Sequence, residues 1–106
     1  MTFQLGSALL DACVLAILAK EDAYGYSLTQ QVREVMDISE STLYPVLRRL
    51  QKGEYLSTYD QPFQGRNRRY YRITDNGCRK YEELLTEWTE YKEKIDHVLM
   101  GGLNDE

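Results

Sequence analysis

The feature that most constrains this chain is a change of hydrophobic period at Gly53 and a change back at Thr74. Before Gly53, apolar side chains recur at the three-and-four spacing of a helix face. From Tyr55 to Tyr59 and again from Arg69 to Thr74 the period is two, and beyond Thr74 the helical spacing returns. A period of 3.6 buries one side of a helix, whereas a period of two buries one side of a strand, so neither segment can exchange roles. The expected order is therefore helices, one hairpin, and a final long helix: a mainly α (α+β) chain.

The pattern resolves into elements. Leu9, Leu10, Cys13, Val14, Ile17 and Leu18 form the first helix face, with Ser7 placed to cap it. Tyr24-Gly25-Tyr26-Ser27 reads as a turn and N-cap, followed by a stripe of Leu28, Val32, Val35 and Met36. Ser39 caps a third helix in which Leu43, Val46, Leu47 and Leu50 point inward, and Gly53 marks its end. Tyr55 to Tyr59 and Arg69 to Thr74 are the two expected strands. Their connection contains Pro62, Gly65 and Asn67 and is expected to be longer than a tight turn, with an exposed tip carrying Arg66 and Arg68. Thr74 caps the last helix, Asp75 suits its first turn, and Gly101-Gly102 end it.

The 106 residues, 42% of them hydrophobic, suffice for one modest core, and no Ser-rich or Gly-rich linker divides them. The longest apolar stretch, Leu9 to Ala19, is interrupted by Asp11 and is too short to span a bilayer. No basic segment precedes it as a signal peptide requires, so no membrane partner is expected and the cytoplasm is the expected location. Cys13 and Cys78 are accordingly read as reduced.

A net charge of −4 argues at first against a polyanionic partner. Its distribution argues the other way. Between residues 48 and 80, Arg48, Arg49, Lys52, Arg66, Arg68, Arg69, Arg72, Arg79 and Lys80 face only Glu54, Asp60 and Asp75, while both flanks are acidic. Such segregation orients a chain on a polyanion. On the third helix Ser41, Tyr44, Pro45, Arg48 and Lys52 point outward, with Thr42 and Arg49 at the margin. Long cationic donors, a short hydroxyl and a phenol suit base edges and phosphates in a groove. A basic hairpin carrying Arg66, Arg68 and Arg69 follows, placed as a wing would be. Helices, reading helix and basic hairpin in that order describe a winged helix-turn-helix with a two-stranded wing. Residues 1–74 form the DNA-binding domain, 75–100 a C-terminal dimerisation helix, and 101–106 a short tail.

The stretch from Ser41 to Leu50, STLYPVLRRL, and that from Gly65 to Gly77, GRNRRYYRITDNG, together resemble the PadR (phenolic acid decarboxylase regulator) family of winged-helix repressors. Tyr24-Gly25-Tyr26 resembles that family's pattern at the start of its second helix, and the likeness runs from about Leu9 to Leu99. The resemblance implies a transcriptional repressor, with Ser41, Thr42, Tyr44 and Arg48 meeting DNA and Arg66 and Arg68 at the wing tip. The single C-terminal helix is similar to the shorter branch of the family.

In that helix Tyr81, Leu84, Trp88, Tyr91, Ile95 and Val98 are spaced alternately three and four apart, the seam of a coiled coil, widened by Leu85 and Leu99. A second copy is the natural cover, with the first helix of either copy as an alternative. A two-fold dimer implies an inverted-repeat operator on double-stranded DNA. Trp88 has two readings: it fills the seam, or it lines a cavity between subunits for a planar hydrophobic small-molecule effector, which the family resemblance favours. No catalytic set, metal site or cofactor motif stands out. His97 has no second histidine, and Glu82, Glu83, Glu87, Glu90 and Glu93 read as a solvated face. The alternative function is a winged helix that binds an acidic protein partner.

Overall fold

In the computed structural model, residues 5–102 are described; the last four residues of the expected tail lie outside them. Helix α1 spans Leu5–Lys20, strand β1 Ala23–Tyr24, α2 Gly25–Arg33 and α3 Glu40–Lys52. Strands β2, Leu56–Phe63, and β3, Arg66–Ile73, lead into α4, Asp75–Leu99. Four helices and a three-stranded antiparallel sheet in the order β1-β3-β2 make the mainly helical α+β fold expected from the change of period.

The core gathers one face of every element. Leu10, Val14, Leu15 and Leu18 of α1 meet Leu28 and Val32 of α2, Leu43, Leu47 and Leu50 of α3, Leu56, Tyr71, and Leu84 of α4. In α3 the buried set repeats at i, i+4 and i+7, as expected, while Val46 is only partly buried. In α1 the buried face is broader than one stripe and includes Leu15 and the charged Asp11.

Two caps form as read. The Ser39 hydroxyl accepts from the Thr42 N–H at 3.3 Å, and the Thr74 hydroxyl accepts from the Gly77 N–H at 2.9 Å. Two do not. Ser7 lies inside α1, which begins at Leu5, and Ser27 lies in the first turn of α2, which starts at Gly25 with Tyr24 as an uncapped N-cap. The reason for the second is β1: residues 23 and 24 pair with Tyr71 and Tyr70, so the chain turns into α2 straight from a strand. Val35 falls beyond the end of α2 at Arg33 and is exposed, not part of the buried stripe.

The α3 terminus is a Schellman motif. The Tyr55 N–H donates to the Leu50 carbonyl and the Glu54 N–H to that of Gln51, both at 2.9 Å. Glu54, with φ of 66°, takes the left-handed position, while Gly53 has an ordinary negative φ. Gly53 is small for a different reason: a Cβ there would come within 3.0 Å of the Tyr55 ring.

The hairpin differs most from expectation. The strands pair without interruption from Leu56 opposite Ile73 to Phe63 opposite Arg66, leaving a two-residue turn of Gln64 and Gly65. Their φ values of 51° and 78° are the pair of positive angles that a type I′ turn demands. Pro62, read as a loop residue, sits in β2, which is an edge strand and tolerates the missing N–H.

Helix α4 starts against the body and ends away from it. Gly77 and Leu84 are buried, whereas Leu85, Ile95, Val98 and Leu99 are exposed. Met100 is the C-cap and Gly101, with φ of 81°, follows it in the left-handed conformation, so the helix stops where the glycine pair marks it. Among the described residues, no helix is long and apolar enough to cross a membrane and no acidic, His and Cys cluster could hold a metal ion.

Candidate nucleic-acid interface

Helix α3 opens with three exposed hydroxyls. Ser39 Oγ lies 2.8 Å from Ser41 Oγ and 3.3 Å from Thr42 Oγ1, on the cap that fixes the first turn. Pro45 remains within the helix and is exposed; lacking an N–H, it frees the Ser41 carbonyl from the helical ladder. One and two turns further on, Arg48 and Lys52 stand exposed on the same side, without an ion-pair or hydrogen-bond partner among the described residues. Hydroxyls, a free carbonyl and two cations thus share one solvent-facing strip.

Tyr44 and Arg49, also expected on this surface, have intramolecular work. The Tyr44 ring is half-buried against the core, with its hydroxyl lying over Gly25, where a Cβ would be 3.4 Å away. Burial, reinforced by the nearby Glu40 carboxylate, raises the phenol above its usual range, so it remains a neutral donor. Arg49 grips the buried Asp11 carboxylate through Nη1 at 3.1 Å and Nη2 at 2.7 Å. The hydrogen bonds to Asp11 are the main reason its guanidinium is held above its ordinary value. Asp11 interrupts an otherwise apolar helix, and a carboxylate in such a place needs a cationic partner; that was the legible signal.

The wing divides its arginines in the same way. Arg66 is exposed and unpaired among the described residues. Arg69 makes a loose 3.6 Å pair with Asp60, both more than half exposed, a contact of little energetic weight. Arg68 is partly buried between two rings, with its guanidinium carbon 3.6 Å from the Phe63 centroid and 4.1 Å from that of Tyr24. Behind it Tyr70 stacks on Tyr59 at 5.4 Å, and the Tyr59 hydroxyl donates to Asp22 at 2.6 Å, where Arg72 also binds. Strand alternation explains this layer: Phe63, Arg68, Tyr59, Tyr70 and Arg72 share the face of the hairpin turned away from Leu56 and Tyr71. The roles of Tyr24 and Phe63 were not read from sequence, because the register depends on the two-residue turn.

The dimerisation set is likewise divided. Leu84 is buried within its own chain and Tyr81 packs against the same core. Leu85, Ile95, Val98 and Leu99 face solvent, and Trp88, Tyr91 and Ile95 border a cleft of about 510 Å³ on the distal half of α4.

The matches to known proteins cover this whole arrangement. The model of the transcriptional regulator PadR-like family matches residues 14–83. The crystal structure of smu.1704 from Streptococcus mutans is 44% identical, covers 95% of each chain and superimposes with a TM-score of 0.86. A PadR family transcription regulator from Clostridium difficile is 31% identical over 85% of this chain and 97% of its own, with a TM-score of 0.78. The transcriptional regulator Rv3488 of Mycobacterium tuberculosis is 33% identical over 84% of this chain and 80% of its own length. With α3, the hairpin and the long terminal helix arranged in this way, the chain belongs to the PadR-like family of DNA-binding transcriptional regulators.

Proposed function

We propose that this regulator is a repressor, working in the cytoplasm as a two-fold dimer on an inverted-repeat operator. The observation that carries the reading is the selective pairing of its arginines. Intramolecular partners take Arg49, Arg68 and Arg72, and leave Arg48, Lys52 and Arg66 exposed with no carboxylate of their own among the described residues. Unpaired cations on a reading helix and a wing tip have phosphates and guanine edges as their natural partners. Ser41, Thr42 and Pro45 complete the face on α3, and Arg69 adds charge to the wing.

The distal half of α4 supports the dimer: Leu99 is 76% exposed and Val98 51%, a continuous apolar strip that a second copy would cover. Trp88 on the same strip is the proposed seat of a planar hydrophobic inducer between subunits, whose binding releases the operator. Selection of bound fragments from the source genome at near-physiological salt tests the main claim. Enrichment of inverted repeats with half-sites about one helical turn apart is expected; equal affinity for selected and random duplexes overturns it. Trp88 is the sole tryptophan, so its fluorescence reports directly on effector binding. A broad panel of planar compounds that neither quenches it nor releases operator rules out the inducer.

A further inference from the structure

The base of the wing and its tip are supported differently. Among the described residues, strand β1 pairs with β3 only at Tyr71 and Tyr70, so from Arg69 to the turn β3 has β2 as its single neighbour. A two-stranded ribbon on its own holds its shape and direction poorly in water. Among the described residues beyond Tyr70, the ring or ionic contact that leads from this ribbon back to the helical body is that of Arg68 with Tyr24. Tyr24 immediately precedes α2, and its neighbour Gly25 lies under the Tyr44 hydroxyl of α3. One line of contact therefore runs from the reading helix through Tyr44, Gly25 and Tyr24 to Arg68, and through Arg68 to Phe63 beside the turn.

We propose that Arg68 is a positioning residue, one that pins the wing to the α2–α3 unit and so sets the angle at which Arg66 meets the DNA backbone. It does not itself neutralise a phosphate. A planar, delocalised cation stacked on both faces is a role for arginine; a lysine ammonium carries the same charge but cannot lie flat between two rings. The proposal rests on the reading of the wing as a DNA contact, and the test separates the two.

Operator affinity of the full-length protein is measured between 50 and 200 mM salt for wild type, Arg68→Ala, Arg68→Lys and Arg66→Ala, together with amide exchange in the hairpin. Both Arg68 variants are expected to bind roughly tenfold more weakly, the equivalent of one to two lost cation–π contacts. Their salt slopes stay at the wild-type value, because Arg66 still reaches its phosphate once the loosened wing is ordered on the DNA and the loss falls on affinity, and the amides around Gln64 exchange faster. Arg66→Ala loses about one unit of slope. Near-wild-type affinity in Arg68→Lys, or a slope reduced by about one in Arg68→Ala, overturns the pin and makes Arg68 a phosphate contact. An unchanged slope in Arg66→Ala instead removes the wing from the DNA surface. Amide exchange then judges the pin alone: unchanged protection in Arg68→Lys rejects it.

Discussion

Arg49 of α3 and Asp11 of α1 form a two-pronged bridge across 38 residues of chain, with N···O distances of 3.1 and 2.7 Å. It ties α3 to α1, whose Leu10, Val14, Leu15 and Leu18 lie in the core, and its members are unequal: the Asp11 side chain is 10% exposed and that of Arg49 54%. Removing the arginine strands a buried carboxylate, whereas removing the aspartate lets the guanidinium turn to water. Arg49→Ala is expected to cost about 2–3 kcal/mol, below the range for a fully buried pair because one side is wet. Asp11→Ala should cost less, and the double variant should regain part of the loss. Urea denaturation of the three variants checks this; a double variant equal to the sum of the singles would show that the pair is uncoupled. The salt slope of DNA binding should be unchanged in Arg49→Ala, since its charge is already matched.

Gly77 and Gly6 should respond in opposite ways to the same substitution. A Cβ on Gly77 would collide with the Tyr55 carbonyl and lie 2.7 Å from Ile73 Cγ1, at the junction where Thr74 caps α4 and binds the Glu54 carbonyl. Gly77→Ala is expected to cost about 3 kcal/mol, because backbone stands in the way. Among the described residues a Cβ on Gly6 meets nothing within 4 Å in the first turn of α1, so Gly6→Ala should add about 0.5 kcal/mol. Thermal melts of the two variants give the sign directly.

Arg48 and Arg49 are neighbours in sequence with different surroundings, Arg48 in solvent and Arg49 on Asp11. Arg48→Ala should leave the melting temperature within the range of surface changes and weaken operator binding by about 1–3 kcal/mol, with relaxed preference at the base it contacts. Competition binding against operators substituted one position at a time measures this. Uniform weakening across all of them would assign Arg48 to the phosphate backbone.

Val98→Glu and Leu99→Glu place charges on the exposed end of α4, away from the core. Each is expected to shift the protein from dimer to monomer at micromolar concentration with little change in helix content, as sedimentation and circular dichroism would record. Leu84→Ala should behave differently, destabilising the chain itself by about 2–4 kcal/mol, because Leu84 is buried in its own core. A stable wild-type monomer at micromolar concentration would defeat the dimer outright.

Cys13 is half-buried on α1, and burial pushes its thiol above the ordinary value of 9.0. Its folded pKa then exceeds the unfolded one, so the neutral thiol's contribution to stability is complete below the unfolded pKa and is lost as pH rises through the folded value. At neutral pH a thiol reagent should label exposed Cys78 quickly and Cys13 slowly, and Cys78→Ser should abolish the fast phase. Equal rates in the folded protein would contradict the burial of Cys13.

Features that depend on a few neighbouring residues were legible along the chain. Ser39 and Thr74 cap their helices as read, since a hydroxyl reaching an N–H three residues on needs no distant partner. The buried stripe of α3 and the alternation of the hairpin followed from period alone. Two-residue β1 carries too short a pattern to register as a strand, and without it Ser27 passed for a cap. Pro62 suggested a loop because edge position, which makes a proline tolerable in a strand, is a property of the sheet.

Nine basic residues between 48 and 80 declared a surface for a polyanion, but not which of them would remain available to it. One hundred degrees of helical rotation separate Arg48 from Arg49, and only the approach of α1 turns one toward Asp11 and leaves the other in solvent. Strand register does the same for the wing, lodging Arg68 between Tyr24 and Phe63 while Arg66 stays exposed. Residue type and period are local quantities and were enough for the helices, the wing and the sign of the charge. Whether a given cation is free depends on a carboxylate or ring tens of residues away, and that was settled only when the chain packed.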